Sequence, residues 1–208
     1  MTFSSEQCNK IENLVLENKK YWVPRGYHEW GTLHTLGGVT AFGDRKGYEE
    51  ILNFSNPLLI NNLKEEYEII RNAFIKLFKC DVVYNDKLAF PGFQIFTCTK
   101  EGGDSIKNGG IIHKDYLWED REIKDIVNIP QVDEEYSATI ILSEGVATLN
   151  IWDNYPNGLR IITYKRGTIT LQDHQLMHQV PYTDAIGVQR VSMQIRGFRV
   201  GNVITLYL

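Results

Sequence analysis

Two histidines, a carboxylate and an arginine stand in an order that can hold a metal ion and a charged reactant together. The chain runs Gly-Gly-Ile-Ile-His113-Lys-Asp115, then His178-Gln-Val-Pro, then Gln-Arg190-Val-Ser192. In extended chain, residues two apart point the same way, so His113 and Asp115 can face one ion while Lys114 faces away. Two imidazoles and one carboxylate on a single face of a metal leave its other positions open to reactants, an arrangement associated with non-haem Fe(II). Arg190, beyond the last ligand, can grip the far carboxylate of a diacid through two parallel hydrogen bonds. The pattern points to a reaction and a cosubstrate, not to a substrate.

The distal ligand has two candidates, His174 and His178. His178 is favoured because it directly precedes the Val180-Pro181 break and the strand bearing Arg190. The segment His174-Gln-Leu-Met-His178 superficially matches the His-Glu-x-x-His of zinc proteases. That motif needs a helix and a glutamate as general base. Gln175 replaces the glutamate, and Thr168-Ile-Thr-Leu upstream reads as strand. The protease reading is set aside.

Elements must position these side chains, and the composition allows them. The chain has 208 residues, 43% of them hydrophobic, enough for a sizeable core in one domain spanning 1–208. A net charge of -4 argues against nucleic acid or anionic membrane as a general partner. No apolar run approaches the roughly 20 residues that a spanning helix requires. The N-terminus lacks the charged and apolar regions of a secretory signal, so a cytoplasmic protein is expected. Cys8, Cys80 and Cys98 match no zinc or disulfide pattern and read as three reduced thiols.

The first half reads as helical. Ser4 with Gln7 forms a capping box ahead of Cys8, Ile11, Leu14 and Val15, and this helix reaches about Lys19. A second helix is expected with Asn56 as its cap, Pro57 in its first turn, and an apolar stripe from Leu59 to Leu77. From Val82 onward short β-prone runs alternate with turn residues: Leu88 to Thr99, Ser137 to Leu142, Ala147 to Asp153, Leu159 to Tyr164, Thr168 to Leu171, Arg190 to Arg196, and Val203 to Leu208. Such strands predict an antiparallel sandwich or barrel, with the helices packed outside. The long irregular stretch from Glu101 to Asp133 surrounds the His-x-Asp pair, as functional loops often do.

His113-x-Asp115, His178 and Arg190-x-Ser192 resemble the motifs of the Fe(II)/2-oxoglutarate-dependent dioxygenase superfamily, and Gly167 to Arg196 is similar to its closing strands. The resemblance covers roughly the last half of the chain; the N-terminal helices carry none of its motifs. It implies a mainly β fold with flanking helices, built on a double-stranded β-helix (jelly-roll) core. It also implies iron held by His113, Asp115 and His178, with Arg190, supported by Ser192, binding the far carboxylate of 2-oxoglutarate. Members use O2 to oxidise a substrate while 2-oxoglutarate becomes succinate and CO2. A small-molecule substrate is expected, such as an amino acid or a natural-product intermediate. Asp115 stands where halogenating relatives carry a small residue, so halogenation is not expected.

Arg190 with Arg196 also resembles an arginine pair of the superfamily's nucleic-acid dealkylases, in which the second arginine contacts the other end of the cosubstrate. The acidic balance argues against nucleic acid here, and Arg196 reads equally as an ordinary barrel-end cation. A jelly-roll binding module without redox chemistry is the rival of another class. Gln94, alternating with Phe93 and Ile95, can face the barrel interior and touch cosubstrate or substrate. Asn150 and Trp152 share a strand face, and Trp152 reads as a core aromatic or a pocket wall. Tyr21, Trp22, Tyr27, His28 and Trp30 form an aromatic cluster that either covers the site mouth or packs on the barrel. Asp133, Glu134 and Glu135 read as a solvated loop.

Overall fold

A computed structural model describes residues 2–28, 31–37, 45–99, 112–114, 126–129, 131–145, 147–173, 175–181 and 186–207, with side chains for all of these except 26–28 and 45–51. Helix α1 (Ser5–Glu17) opens on the expected capping box. The Ser4 hydroxyl accepts from Gln7 N at 3.1 Å, and the Gln7 side chain accepts from Ser4 N at 2.9 Å. Its buried stripe is Cys8, Ile11 and Val15.

After a short 3-10 turn, β1 (Val23–His28) and β2 (Gly31–Leu36) form an antiparallel hairpin. The sequence reading assigned only helices to this half. Pro24 and Gly26 inside β1 argue against a strand by local rules. They are tolerated because β1 is the edge of its sheet and its register shifts between Pro24 and Gly26.

Helix α2 (Arg45–Phe78) also differs from expectation. It begins before Asn56, runs through Pro57, and leaves helical geometry at Leu63, where φ is -124° and ψ is 25°. Asn56 is therefore not a cap. Its side chain is buried and clamps the chain ahead of the next sheet strand, donating to Leu88 O and accepting from Phe90 N, both at 2.9 Å. Those buried backbone groups need partners, and a short amide supplies both a donor and an acceptor.

The remaining strands are β3 (Asp81–Tyr84), β4 (Gly92–Cys98), β5 (Glu134–Ile141), β6 (Thr148–Asn154), β7 (Asn157–Thr163), β8 (Thr170–Gln172), β9 (Met177–Gln179), β10 (Gln189–Val200) and β11 (Val203–Tyr207). The larger sheet runs β1-β2-β4-β10-β11-β3, with β5 on the other edge of β10 and β8 beside β5. All its pairs are antiparallel except β11 with β3, so the sheet is mixed rather than wholly antiparallel. A smaller sheet runs β7-β6-β9. The described residues are thus mainly β, with helices α1 and α2 beside the sheets.

Period-two alternation on the long strand β10 divides the larger sheet into two faces. Val191, Met193 and Ile195 join Phe93, Ile95, Ala138 and Ile140 in the main core, against Ile11 and Val15 of α1 and Leu59, Leu63, Ile70 and Phe74 of α2. The helices therefore cover one face. The other face carries Gln94, Thr139, Ser192 and Gln194, which cross-strand pairing places side by side. Against this second face lies the smaller sheet: Ile141 clusters with Ala147, Leu149, Ile151 and Tyr164. The Cys8, Cys80 and Cys98 side chains are all buried. Among the described residues, no helix is long and apolar enough to cross a membrane.

Candidate metal centre

Strand β9 pairs with β6 along one edge, and His113 closes the other. His113 N donates to His178 O at 3.0 Å and His178 N donates to His113 O at 2.8 Å, a single antiparallel bridge. Residues that exchange both backbone bonds carry their side chains on the same face. Accordingly the two imidazole centroids are 4.4 Å apart, with the rings tilted by 54°. His178 is buried and sits across from Ile151, on the side of the smaller sheet that meets the larger one. His113 is exposed.

The tautomer of His178 is fixed by its neighbour. Nδ1 lies 3.0 Å from Leu176 O, and a carbonyl only accepts, so Nδ1 carries the proton. In the neutral ring Nε2 then keeps its lone pair, the form in which an imidazole binds a metal. The two histidines thus fit a metal in donor type and stand side by side. Asp115 and His174 lie outside the described residues. Among the described residues no three His, Cys, Asp or Glu side chains converge. The segment leading to His178 is a turn and then strand, with Leu176 N bonded to Asp173 O at 3.2 Å, so it lacks the helix of a zinc-protease motif.

Arg190 lies on the polar face of β10 and is 7% exposed. Its Nη1 donates to Pro181 O at 3.3 Å, and its guanidinium carbon stands 5.7 Å from the ring centroid of Phe96, its cross-strand partner. A cation over an aromatic face is favoured, more so when desolvated. Gly31 on β2 makes room for that ring: a Cβ there would lie 2.4 Å from the Phe96 Cζ and 2.3 Å from Thr97 O.

Ser192, also buried, is flanked by Gln94 on β4 and accepts from Gln194 Nε2 at 3.1 Å. Beyond it runs a chain of hydrogen bonds the sequence did not reveal. Thr139 Oγ1 donates to Gln194 Oε1 at 3.1 Å, and Gln172 Nε2 donates to Thr139 Oγ1 at 2.9 Å and to Tyr164 OH at 2.6 Å. This chain crosses β10, β5 and β8 and reaches the smaller sheet. Arg196 shares the face but sits half-buried farther along β10, paired with Ser137 and Tyr207.

The start of β10 is anchored from behind by helix α1. Ser143 Oγ accepts from Val191 N at 2.7 Å and donates to Glu12 Oε1 at 2.6 Å. Arg166 braces the same carboxylate at 3.4 Å, and its guanidinium also bonds Asn9 at 2.7 Å. Ser143→Ala leaves a buried N–H next to Arg190 without its acceptor, a loss of about 1–3 kcal/mol. Urea unfolding is expected to show a lower midpoint at unchanged slope; an unchanged midpoint would remove this anchor from the account.

Asn150 and Trp152 do share a face, but it is the face opposite His178, because they pair with Gln179 and Met177. Trp152 is buried, meets Tyr155 edge-on at 5.6 Å, and helps line an open groove of about 360 Å³ together with Lys114 and Met177. Trp22 packs on the helical side: its Nε1 donates to Val15 O at 3.0 Å and its ring lies 5.7 Å from His34. Tyr21 stacks near Phe54 at 4.3 Å. The side chains of Tyr27 and His28, and all of Trp30, lie outside the description. The acidic run is only partly a loop: Asp133 lies in a bend and accepts from Gly201 N at 2.7 Å, whereas Glu134 opens β5, stays exposed and pairs with Arg199 at 3.5 Å.

No protein-family model and no curated protein matches the chain. Among solved structures, a prolyl-4-hydroxylase from Pseudomonas putida is similar with a TM-score of 0.42 and 12% identity, over 96% of this chain and 90% of that one. The reading of this chain rests on its own residues.

Proposed function

We propose that the protein is an Fe(II)- and 2-oxoglutarate-dependent oxygenase that hydroxylates a small molecule such as an amino acid or natural-product intermediate, with residues 1–208 forming one such domain. The observation that carries this reading is the His113–His178 bridge, in which two sequence-distant imidazoles meet and the Nδ1 proton of His178 is held by Leu176 O. Strand order supports a jelly-roll core: β4, β10, β5 and β8 lie side by side in one sheet, and the His113 segment, β9, β6 and β7 in the other.

In this reading His113, Asp115 and His178 hold the iron. With 2-oxoglutarate and O2 bound, that ion supplies the oxidising power to put oxygen into a C–H bond while the cosubstrate becomes succinate and CO2. The protein's own share is binding and orientation. Leu176 O holds the His178 ring in the tautomer that presents Nε2. Arg190 offers a fixed fork for the distal carboxylate, its position set by Phe96 and Pro181 O, with Ser192 and Gln94 beside it. Burial of Arg190 and Ser192 excludes water and strengthens these contacts.

Anaerobic loading with Fe(II), followed by 2-oxoglutarate, is expected to give a visible charge-transfer band. Aerobic incubation with a panel of candidate small molecules is expected to release succinate. Asp115→Ala should lose both signals while circular dichroism stays unchanged. Absence of bound iron and of the band in the wild-type protein would favour a jelly-roll binding module without redox chemistry.

A further inference from the structure

A guanidinium from outside β10 also occupies the polar face, at its far edge. Arg25 lies in the β1 irregularity, where the register slips between Pro24 and Gly26. Bulges re-aim a side chain, and here Arg25 Nε donates to Thr35 Oγ1 at 2.9 Å. Thr35 is buried on β2 and pairs with Gln94, which in turn pairs with Ser192. Residues paired directly across strands share a face. Arg25 therefore stands on the same face as Gln94, Ser192 and Arg190, opposite the helices. Strands are spaced by roughly 5 Å, so Thr35 is roughly 10 Å from Ser192 across the sheet.

Arg25 is incompletely satisfied. Its Nη2 is out of contact with solvent and has no hydrogen-bond partner among the described residues. Buried polar groups are nearly always paired, and a cationic one is costly to leave without an acceptor. Burial also draws the arginine's pKa below its usual value. Thr35 Oγ1 accepts from Nε and keeps its own proton, so a second donor stands beside the guanidinium.

We propose that Arg25, with Thr35, forms a carboxylate-binding subsite for the substrate, distinct from the cosubstrate site at Arg190; the word substrate rests on the oxygenase reading above. One guanidinium balances one unit of negative charge, and its planar edge suits a carboxylate. The neighbours along the row, Gln94 and Ser192, are neutral, whereas a phosphate dianion calls for more cationic donors. Arg190 takes the diacid, so Arg25 is left to orient the molecule being oxidised.

The test uses the full chain loaded with Zn(II) in place of iron and labelled with 15N in its arginine side chains. Arg25→Lys and Arg190→Lys assign the two Nε resonances. In the wild-type protein 2-oxoglutarate is expected to move the Arg190 signal and leave that of Arg25 in place. Acetate added next should move the Arg25 signal saturably. Arg25→Gln should weaken acetate binding by at least about tenfold while 2-oxoglutarate affinity is kept.

Three results overturn the proposal: acetate leaves Arg25 unmoved, 2-oxoglutarate itself shifts Arg25 and blocks acetate, or inorganic phosphate binds there more tightly than acetate. If 2-oxoglutarate moves neither arginine while acetate still saturates Arg25, the carboxylate subsite stands and the oxygenase reading falls. The lysine variants serve only to assign the signals, and the titration itself is read in the wild-type chain.

Discussion

Replacing His178 with alanine is expected to lower Fe(II) affinity by more than about 100-fold, beyond the loss typical of removing a partner that only orients a ligand. The fold should survive, for two reasons. The contacts that tie β9 to His113 run between backbone atoms, and alanine keeps them. The ring's own bond goes to Leu176 O, and losing it costs about 1 kcal/mol. Metal affinity and stability therefore separate, which a merely structural histidine would not allow. His113→Ala should behave alike. His34→Ala is the control, because His34 lies across from Ile95 on the helix-facing side of β2 and rests near Trp22. Competition titration against a metal indicator checks the series; an unchanged affinity in His178→Ala would dissolve the centre.

The residues that bring these histidines together were partly legible in the sequence, and the reason differs from element to element. Ser4 with Gln7 marked the start of α1 because a capping box is a local device whose donors and acceptors lie within one turn. The alternation of Val191, Met193 and Ile195 with Arg190, Ser192 and Gln194 announced a strand with one apolar and one polar face, and both faces are found. The β1–β2 hairpin was hidden because Pro24 and Gly26 break the local strand signal, and only its place at a sheet edge permits them. Asn56 read as a helix cap because asparagine is favoured at the N-cap and proline in the first turn. Its actual partners, Leu88 O and Phe90 N, are more than thirty positions away and carry no local trace.

The same distinction holds at the site. His113, His178 and Arg190 could be singled out by type and order. What sequence could not supply was the company they keep. The chain from Ser192 through Gln194, Thr139 and Gln172 to Tyr164 joins residues from three strands and from beyond a fourth, and no spacing in the sequence links them. Arg25 escaped notice for a further reason: its meaning depends on a register slip, and a slip of one residue decides which face a side chain occupies.

Arg190→Lys is the second large effect expected. Lysine keeps the charge but loses the planar fork, so a bidentate carboxylate pair becomes at best a single contact. Hydrogen bonds to charged groups are worth about 1.5–3 kcal/mol, which converts to about 10- to 150-fold in the 2-oxoglutarate requirement. The loss should fall on the cosubstrate's KM and spare the maximal rate at saturation, because the interaction holds a part of the diacid remote from the reacting carbon. Lysine would also give up the guanidinium's contact with Phe96, whose ring fills the space left by Gly31. Arg196→Lys is the matched control: half-buried, on the same face, but beside Ser137 and Tyr207 rather than Phe96. An unchanged requirement in Arg190→Lys together with a raised one in Arg196→Lys would transfer the carboxylate to the second arginine. A large effect confined to Arg190 would fix the diacid at the β4 side of β10, within the same polar row that ends at Arg25.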